Sequence, residues 1–261
     1  MRRIYVVAAL AAALALVGCS GNSAKEAKGD TSATKVKQVS DGDISEYFKA
    51  IASADPARME AARKFTVPGS IAEGYILHQA YTLNASIDGG SPDPAEKLTK
   101  KKNGYESCGT DDDPDDGVSP CVLWGNVETK KGRIASLTVN GKSLKNRLSV
   151  GDGSKVDAEP YGIVEFLSAY KSVQSNALFV SLRVATGGTA AVSDFSSAQY
   201  RSPQGRQSEA AQATGPDSQI LPNSKVYVSI AFPGVDPGGE VHLTMTNTDY
   251  GGEREVVIKT R

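Results

Sequence analysis

Four runs in the second half of the chain carry large apolar residues at every second position. Val180, Leu182 and Val184 alternate with Ser181, Arg183 and Ala185. Val226, Val228, Ile230 and Phe232 alternate with Tyr227, Ser229 and Ala231. Val241, Leu243 and Met245 alternate with His242, Thr244 and Thr246, and Val256 and Ile258 repeat the pattern near the end. A period of two places every apolar residue of a run on one face of an extended strand, so each strand buries one face only. Gly187-Gly188, Pro237-Gly238-Gly239 and Gly251-Gly252 separate the runs as turns. Ile163 to Val173 reads as the first strand, with Phe195 to Tyr200 and Arg206 to Ala210 as short edge strands. Gln207 to Gln219 is polar and reads as a mobile loop. About seven short strands in about a hundred residues suit a β-sandwich.

The first half has a different rhythm. Asp43 is a candidate N-cap for a helix carrying Ile44, Tyr47, Phe48 and Ile51 at three- and four-residue spacing. Asp55-Pro56 opens a second helix through Met59, Ala62 and Phe65, and Val67-Pro68-Gly69 breaks it. Ser70 caps a third, with Ile71, Tyr75, Ile76, Ala80, Tyr81 and Leu83, which Gly89-Gly90 ends. After the Lys-rich stretch from Lys97 to Lys102 the period shortens. Tyr105 to Cys108, Cys121 to Glu128 and Arg133 to Asn140 read as strands, with Lys130-Lys131-Gly132 and Asn140-Gly141 as hairpin turns. In the last of these strands Ile134 alternates opposite Ala135, Leu137 and Val139. Helices followed by a small antiparallel sheet make an α+β domain.

The N-terminus gives the address. Arg2 and Arg3 precede an apolar segment, Ile4 to Val17, too short to cross a hydrocarbon layer of about 30 Å as a helix. It closes on Leu16-Val17-Gly18-Cys19, followed by polar Ser20 to Ser23. This pattern resembles the lipobox of bacterial lipoproteins. The resemblance implies a diacylglyceryl thioether on Cys19, cleavage before it, and a protein held by lipid at the extracytoplasmic face of the cell membrane. One acyl chain anchors marginally, whereas two or more hold firmly. With Cys19 acylated, Cys108 and Cys121 remain as an even pair, and an oxidising compartment permits a disulfide between them.

Two further resemblances concern fold. The segment around Leu221-Pro222-Asn223, the β run ending Phe232-Pro233-Gly234, and Gly239-Glu240-Val241 together resemble the immunoglobulin-like domains attached to many bacterial lipoproteins. The order of helices and sheet in the first half is similar to the NTF2-like cone folds, in which helices pack inside a curved sheet. The expected organisation is a signal peptide over 1–18 and a flexible stalk over 19–42. An α+β domain with a disulfide-closed acidic loop follows over 43–158, then an immunoglobulin-like sandwich over 159–261.

Chemistry-bearing residues are few. The formal net charge is −1 and no basic face stands out, which argues against nucleic acid as a partner. The acidic run Asp111 to Gly117 sets five carboxylates in seven residues. Asp111, Asp113 and Asp115 are candidate calcium ligands, the sole cofactor the sequence suggests. An EF-hand register fails, because Asp116 stands where the turn glycine belongs, or Pro114 where a ligand belongs. A solvated surface loop is the competing reading. No nucleophile elbow, zinc-binding histidine pair or S-x-x-K motif at a plausible helix start is present, so no catalytic residue is assigned. His242 should face solvent, and His78 should sit on the third helix as a structural or rim residue. Tyr75, His78 and Trp124 are candidates for a ligand pocket in the first domain, with Tyr81 and Tyr105 nearby; an ordinary core is the alternative. The expected function is non-enzymatic binding or assembly at a membrane face, with another envelope protein as partner. The alternative is capture of a small ligand by the first domain.

Overall fold

Ser40 starts the first helix. The computed structural model describes residues 39–109, 121–216, 219–247 and 251–260. In α1 (Asp41–Ile51) the Ser40 hydroxyl accepts from the Asp43 N–H, and the Asp43 carboxylate accepts from the Ser40 N–H. This reciprocal capping box satisfies two N–H groups at once, so Ser40 and not Asp43 is the N-cap. The end of the expected stalk, Asp41 and Gly42, is therefore helical.

Helix α2 (Pro56–Ala62) begins as expected, with Asp55 accepting from the Ala57 and Arg58 N–H groups and Pro56 in the first turn. A 3₁₀ turn, Arg63–Phe65, carries the chain on. Helix α3 (Ile71–Asp88) is capped by Ser70 and closes at Gly89.

A five-stranded antiparallel sheet follows, in the order of β1 (Lys97–Lys101), β2 (Gly104–Cys108), β3 (Cys121–Lys130), β4 (Arg133–Val139) and β5 (Lys142–Ser143). The Lys-rich segment is itself the edge strand β1, where lysines discourage pairing with another chain. Both expected hairpin turns form, with Lys131-Gly132 at φ 52 and 73° and Asn140-Gly141 at φ 48 and 74°, the left-handed pair that such turns need. The register between β3 and β4 shifts twice around Glu128: β3 carries an extra residue between Gly125 and Glu128, and β4 carries Ala135 as an extra residue between Ile134 and Ser136. The bulge at Ala135 reverses the alternation. Ile134 therefore joins Leu137 and Val139 in the core, at 0% and 2% exposure for the first two, rather than facing away from them.

The sandwich is built from β6 (Leu148–Val150), β7 (Lys155–Asp157), β8 (Ile163–Lys171), β9 (Ala177–Ala185), β10 (Ala191–Ser193) and β11 (Gln199–Arg201), followed by β12 (Gln207–Glu209), β13 (Gln212–Thr214), β14 (Gln219–Ile220), β15 (Lys225–Pro233), β16 (Glu240–Asn247) and β17 (Glu253–Lys259). One six-stranded sheet runs β13-β15-β9-β8, with β6 and β7 both paired to β8. The other runs β12-β11-β16-β10-β14, with β17 also on β16. All these pairings are antiparallel. Phe195–Ser197 is a 3₁₀ turn and not part of a strand. The expected mobile loop from Gln207 to Gln219 contributes β12, β13 and the start of β14, short strands too polar to show an apolar face.

Two apolar cores result. Val180, Leu182, Val184, Val228, Ile230, Leu243 and Met245 fill the space between the two sandwich sheets. The other core gathers α1, α2 and α3 against the five-stranded sheet, around Phe48, Ile76, Trp124 and Ile134. Helix α3 joins the two, because it packs on β4 and also on β8, β9 and β15. Gly74 brings it close to β6, where an added Cβ would lie 2.7 Å from Val150. The helices, the five-stranded sheet and the sandwich accordingly form one compact unit. Among the described residues no helix is long and apolar enough to cross a membrane.

Candidate functional site

One stripe of α3 faces the five-stranded sheet, with Tyr75, Gln79, Thr82 and Leu83 at helical spacing. Opposite it, Val122 and Trp124 alternate on the inward face of β3. Ile51 and Ala52 at the end of α1, with Met59 of α2, make a third wall. The segment Asp93-Pro94-Ala95-Glu96, which leads into β1, makes the fourth. Small residues at 52 and 54 leave the space between these walls unfilled. A cleft of about 140 Å³ results. The Glu96 N–H donates to the Ala52 carbonyl at 3.0 Å, and the Ser86 hydroxyl donates to Asp93 at 3.3 Å, so both carboxylate-bearing residues at the mouth are tied to helices.

The floor is aromatic and fixed. Phe48 stacks on Trp124, with ring centroids 5.7 Å apart, and tilts against Tyr105 at 5.0 Å. The Trp124 indole N–H donates to the Tyr75 hydroxyl at 3.0 Å. Burial, then the neighbouring Tyr170, push the Tyr75 phenol well above its ordinary range, and Glu96 adds to the rise. Tyr75 is thus a neutral hydroxyl whose own proton has no acceptor among the described residues. Thr82 in the same wall has a hydroxyl that is shut off from solvent and has no partner among the described residues. The lining includes the carboxylates of Asp93 and Glu96 and no lysine or arginine. Chemically the cleft offers apolar contact at its base, neutral hydroxyls on its wall and negative charge at its mouth.

Thr82→Val swaps that unpaired hydroxyl for a methyl of the same shape. Removing an unsatisfied polar group is neutral to stabilising, so the variant is expected to melt at or above the parent temperature, by as much as about 1 kcal/mol of folding stability. A drop of similar size in a thermal melt would mean that the hydroxyl does have a partner.

Of the residues singled out in the sequence, Tyr75 and Trp124 meet in this cleft. His78 does not line the cleft: it turns toward β8, where its ring and that of Tyr75 both meet Tyr170 edge-on. His78 is 2% exposed, and its Nδ1 is 2.9 Å from the Ser168 hydroxyl. Burial alone pushes its pKa down to about 3, so the ring is neutral. It sits over a row of small residues: Ser168, Ser181 and Ser229 are register partners across β8, β9 and β15, and small side chains let the helix approach the sheet closely. No carboxylate hydrogen-bonds His78 among the described residues, so the Ser–His pair lacks the orienting acid of a triad. Tyr81 stacks on Tyr227 at 6.1 Å, away from the cleft, and Tyr105 stays in the aromatic core. His242 is on the outer face of its sheet, as expected, with Nδ1 2.8 Å from Glu255.

Cys108 and Cys121 are directly opposed in the β2–β3 register and are disulfide-bonded. The loop they close, with Asp111, Asp113 and Asp115, lies outside the described residues, and so does Cys19. Among the described residues no group of three potential ligands is placed to hold a metal ion. Gln79, Thr82, Asp93 and Glu96 were not anticipated. The signal available was two polar residues, Gln79 and Thr82, sharing a face of α3 with Tyr75. No known protein-family pattern matches this chain, and no curated protein matches it in sequence.

Proposed function

We propose that this chain is a lipoprotein tethered through Cys19 to the extracytoplasmic face of the cell membrane, with a non-enzymatic binding module as its folded part. The module holds a small ligand in the cleft between α3 and the five-stranded sheet. The helical layer is read as an NTF2-like ligand-binding layer and the sandwich as an immunoglobulin-like support. Arg2-Arg3, the short apolar segment and Leu16-Val17-Gly18-Cys19 support the tether. The Cys108–Cys121 disulfide suits an oxidising compartment.

The observation that carries the ligand reading is the cleft itself, an unfilled space walled by Met59, Tyr75, Val122 and Trp124. By volume this open cleft has room for about one benzene-sized guest. A partner-docking reading would call for a broad apolar patch. Among the described residues the exposed large apolar side chains are Ile87, Val150, Leu221 and Val257.

Trp124 is the only tryptophan, so its emission reports on the cleft alone. Titrating the purified full chain with benzyl alcohol is expected to shift that emission with half-saturation near about 1 mM, the affinity such a small ligand can reach. Val122→Phe, which puts a ring into the cleft from the strand, is expected to abolish the shift while the protein stays folded. An unresponsive parent, or a variant that responds as the parent does, would contradict the reading.

A further inference from the structure

We infer that the cleft selects a small organic cation, an ammonium group carried on a compact apolar body; this rests on the cleft being a ligand site. Two carboxylates, Asp93 and Glu96, stand at its mouth, and no lysine or arginine lines it. An anionic ligand would therefore meet charge of its own sign, with no cation in the wall to offset it. A cation gains from both carboxylates at the mouth, while its apolar body rests against Tyr75 and Trp124 at the base. The Tyr75 phenol stays neutral because burial and Glu96 both oppose its ionisation, so it acts as a hydroxyl and not as a third negative charge. The volume limits the apolar body to about one six-membered ring. The carboxylates belong to exposed residues, so solvent weakens each contribution.

A matched series separates charge from shape: benzylammonium, benzyl alcohol and benzoate, titrated calorimetrically into the full chain at low and high salt. Benzylammonium is expected to bind about tenfold more tightly than benzyl alcohol at low salt, as two exposed ion pairs of modest strength allow. Benzoate is expected to bind weakest, and added salt should narrow the spread. In the double variant Asp93→Asn with Glu96→Gln, benzylammonium should fall to the level of benzyl alcohol. The order among the three probes in the parent needs no mutation, so it tests the inference whether or not the variant folds. Equal binding of all three, or tighter binding of benzoate, overturns the cation preference and leaves the cleft as a ligand site. Binding by none of them overturns both.

Discussion

Phe48→Ala is expected to lower folding stability by about 4 kcal/mol, within the range for deleting a buried phenylalanine side chain. Phe48 is fully buried, and its ring touches those of Tyr47, Tyr105 and Trp124, at centroid distances of 5.1, 5.0 and 5.7 Å. Deleting it removes one of the largest fully buried side chains of the helical core together with these ring contacts. It also leaves a void beside Trp124, and the neighbours can close it only partly. Tyr47 is held by its hydroxyl, which donates to the Ala72 carbonyl at 2.7 Å. Trp124 is held by Tyr75 at 3.0 Å. Urea unfolding followed by Trp124 emission measures the loss, and a red-shifted native emission should accompany it. A loss under about 1 kcal/mol would mean that the aromatic cluster is not the keystone of this core.

The second large effect is acid lability through His78. Its pKa is about 3 in the folded chain and 6.5 when unperturbed, because burial excludes the charged ring. Between these values the unfolded chain binds a proton that the folded chain does not. Stability from this residue is therefore whole above pH 6.5 and drains away as the pH falls toward 3. The full span is worth about 5 kcal/mol. Ser168 and Tyr170, the groups on its ring, bring no negative charge to rescue the imidazolium. Urea midpoints at pH 7, 5 and 4 for the parent and for His78→Gln measure it. The parent should lose more stability than the variant as the pH falls, and parallel curves would contradict the burial of a neutral ring.

Much of the architecture was legible because it rests on short-range chemistry. Asp55-Pro56, Ser70, Asn140-Gly141 and the alternating runs at Val180 and Val226 each carry their own signal. Apart from Ser40, whose partner Asp43 is three residues away, the failures share a cause, which is that the deciding partner is remote in sequence. Ser40 was absorbed into a serine-rich stalk, although its partner Asp43 was already in view. Strand β1 is hidden by its lysines, since an edge strand needs no apolar stripe. Ile134 changes sides at a bulge that only the β3–β4 pairing reveals. Helix α3 is the most instructive case. It is buried toward both sheets, so its apolar residues Tyr75, Ile76, Leu77 and Ala80 wrap around it and hide which face meets which sheet. For that reason Tyr75 and His78 read as one pocket, although Tyr75 lines the cleft and His78 turns to Ser168 of β8. The carboxylates of Asp93 and Glu96 come from a segment without periodicity, and only the tertiary fold brings them to the cleft.

The tether remains the claim on which location and partner class depend, and the mass of the mature N-terminus tests it most directly. Protein purified from membranes should yield an N-terminal peptide beginning at Cys19 and heavier by a diacylglyceryl group. Cys19→Ala should retain the leader and lose that mass. An unmodified Cys19, or a chain cleaved elsewhere and released from membranes without detergent, would contradict the account.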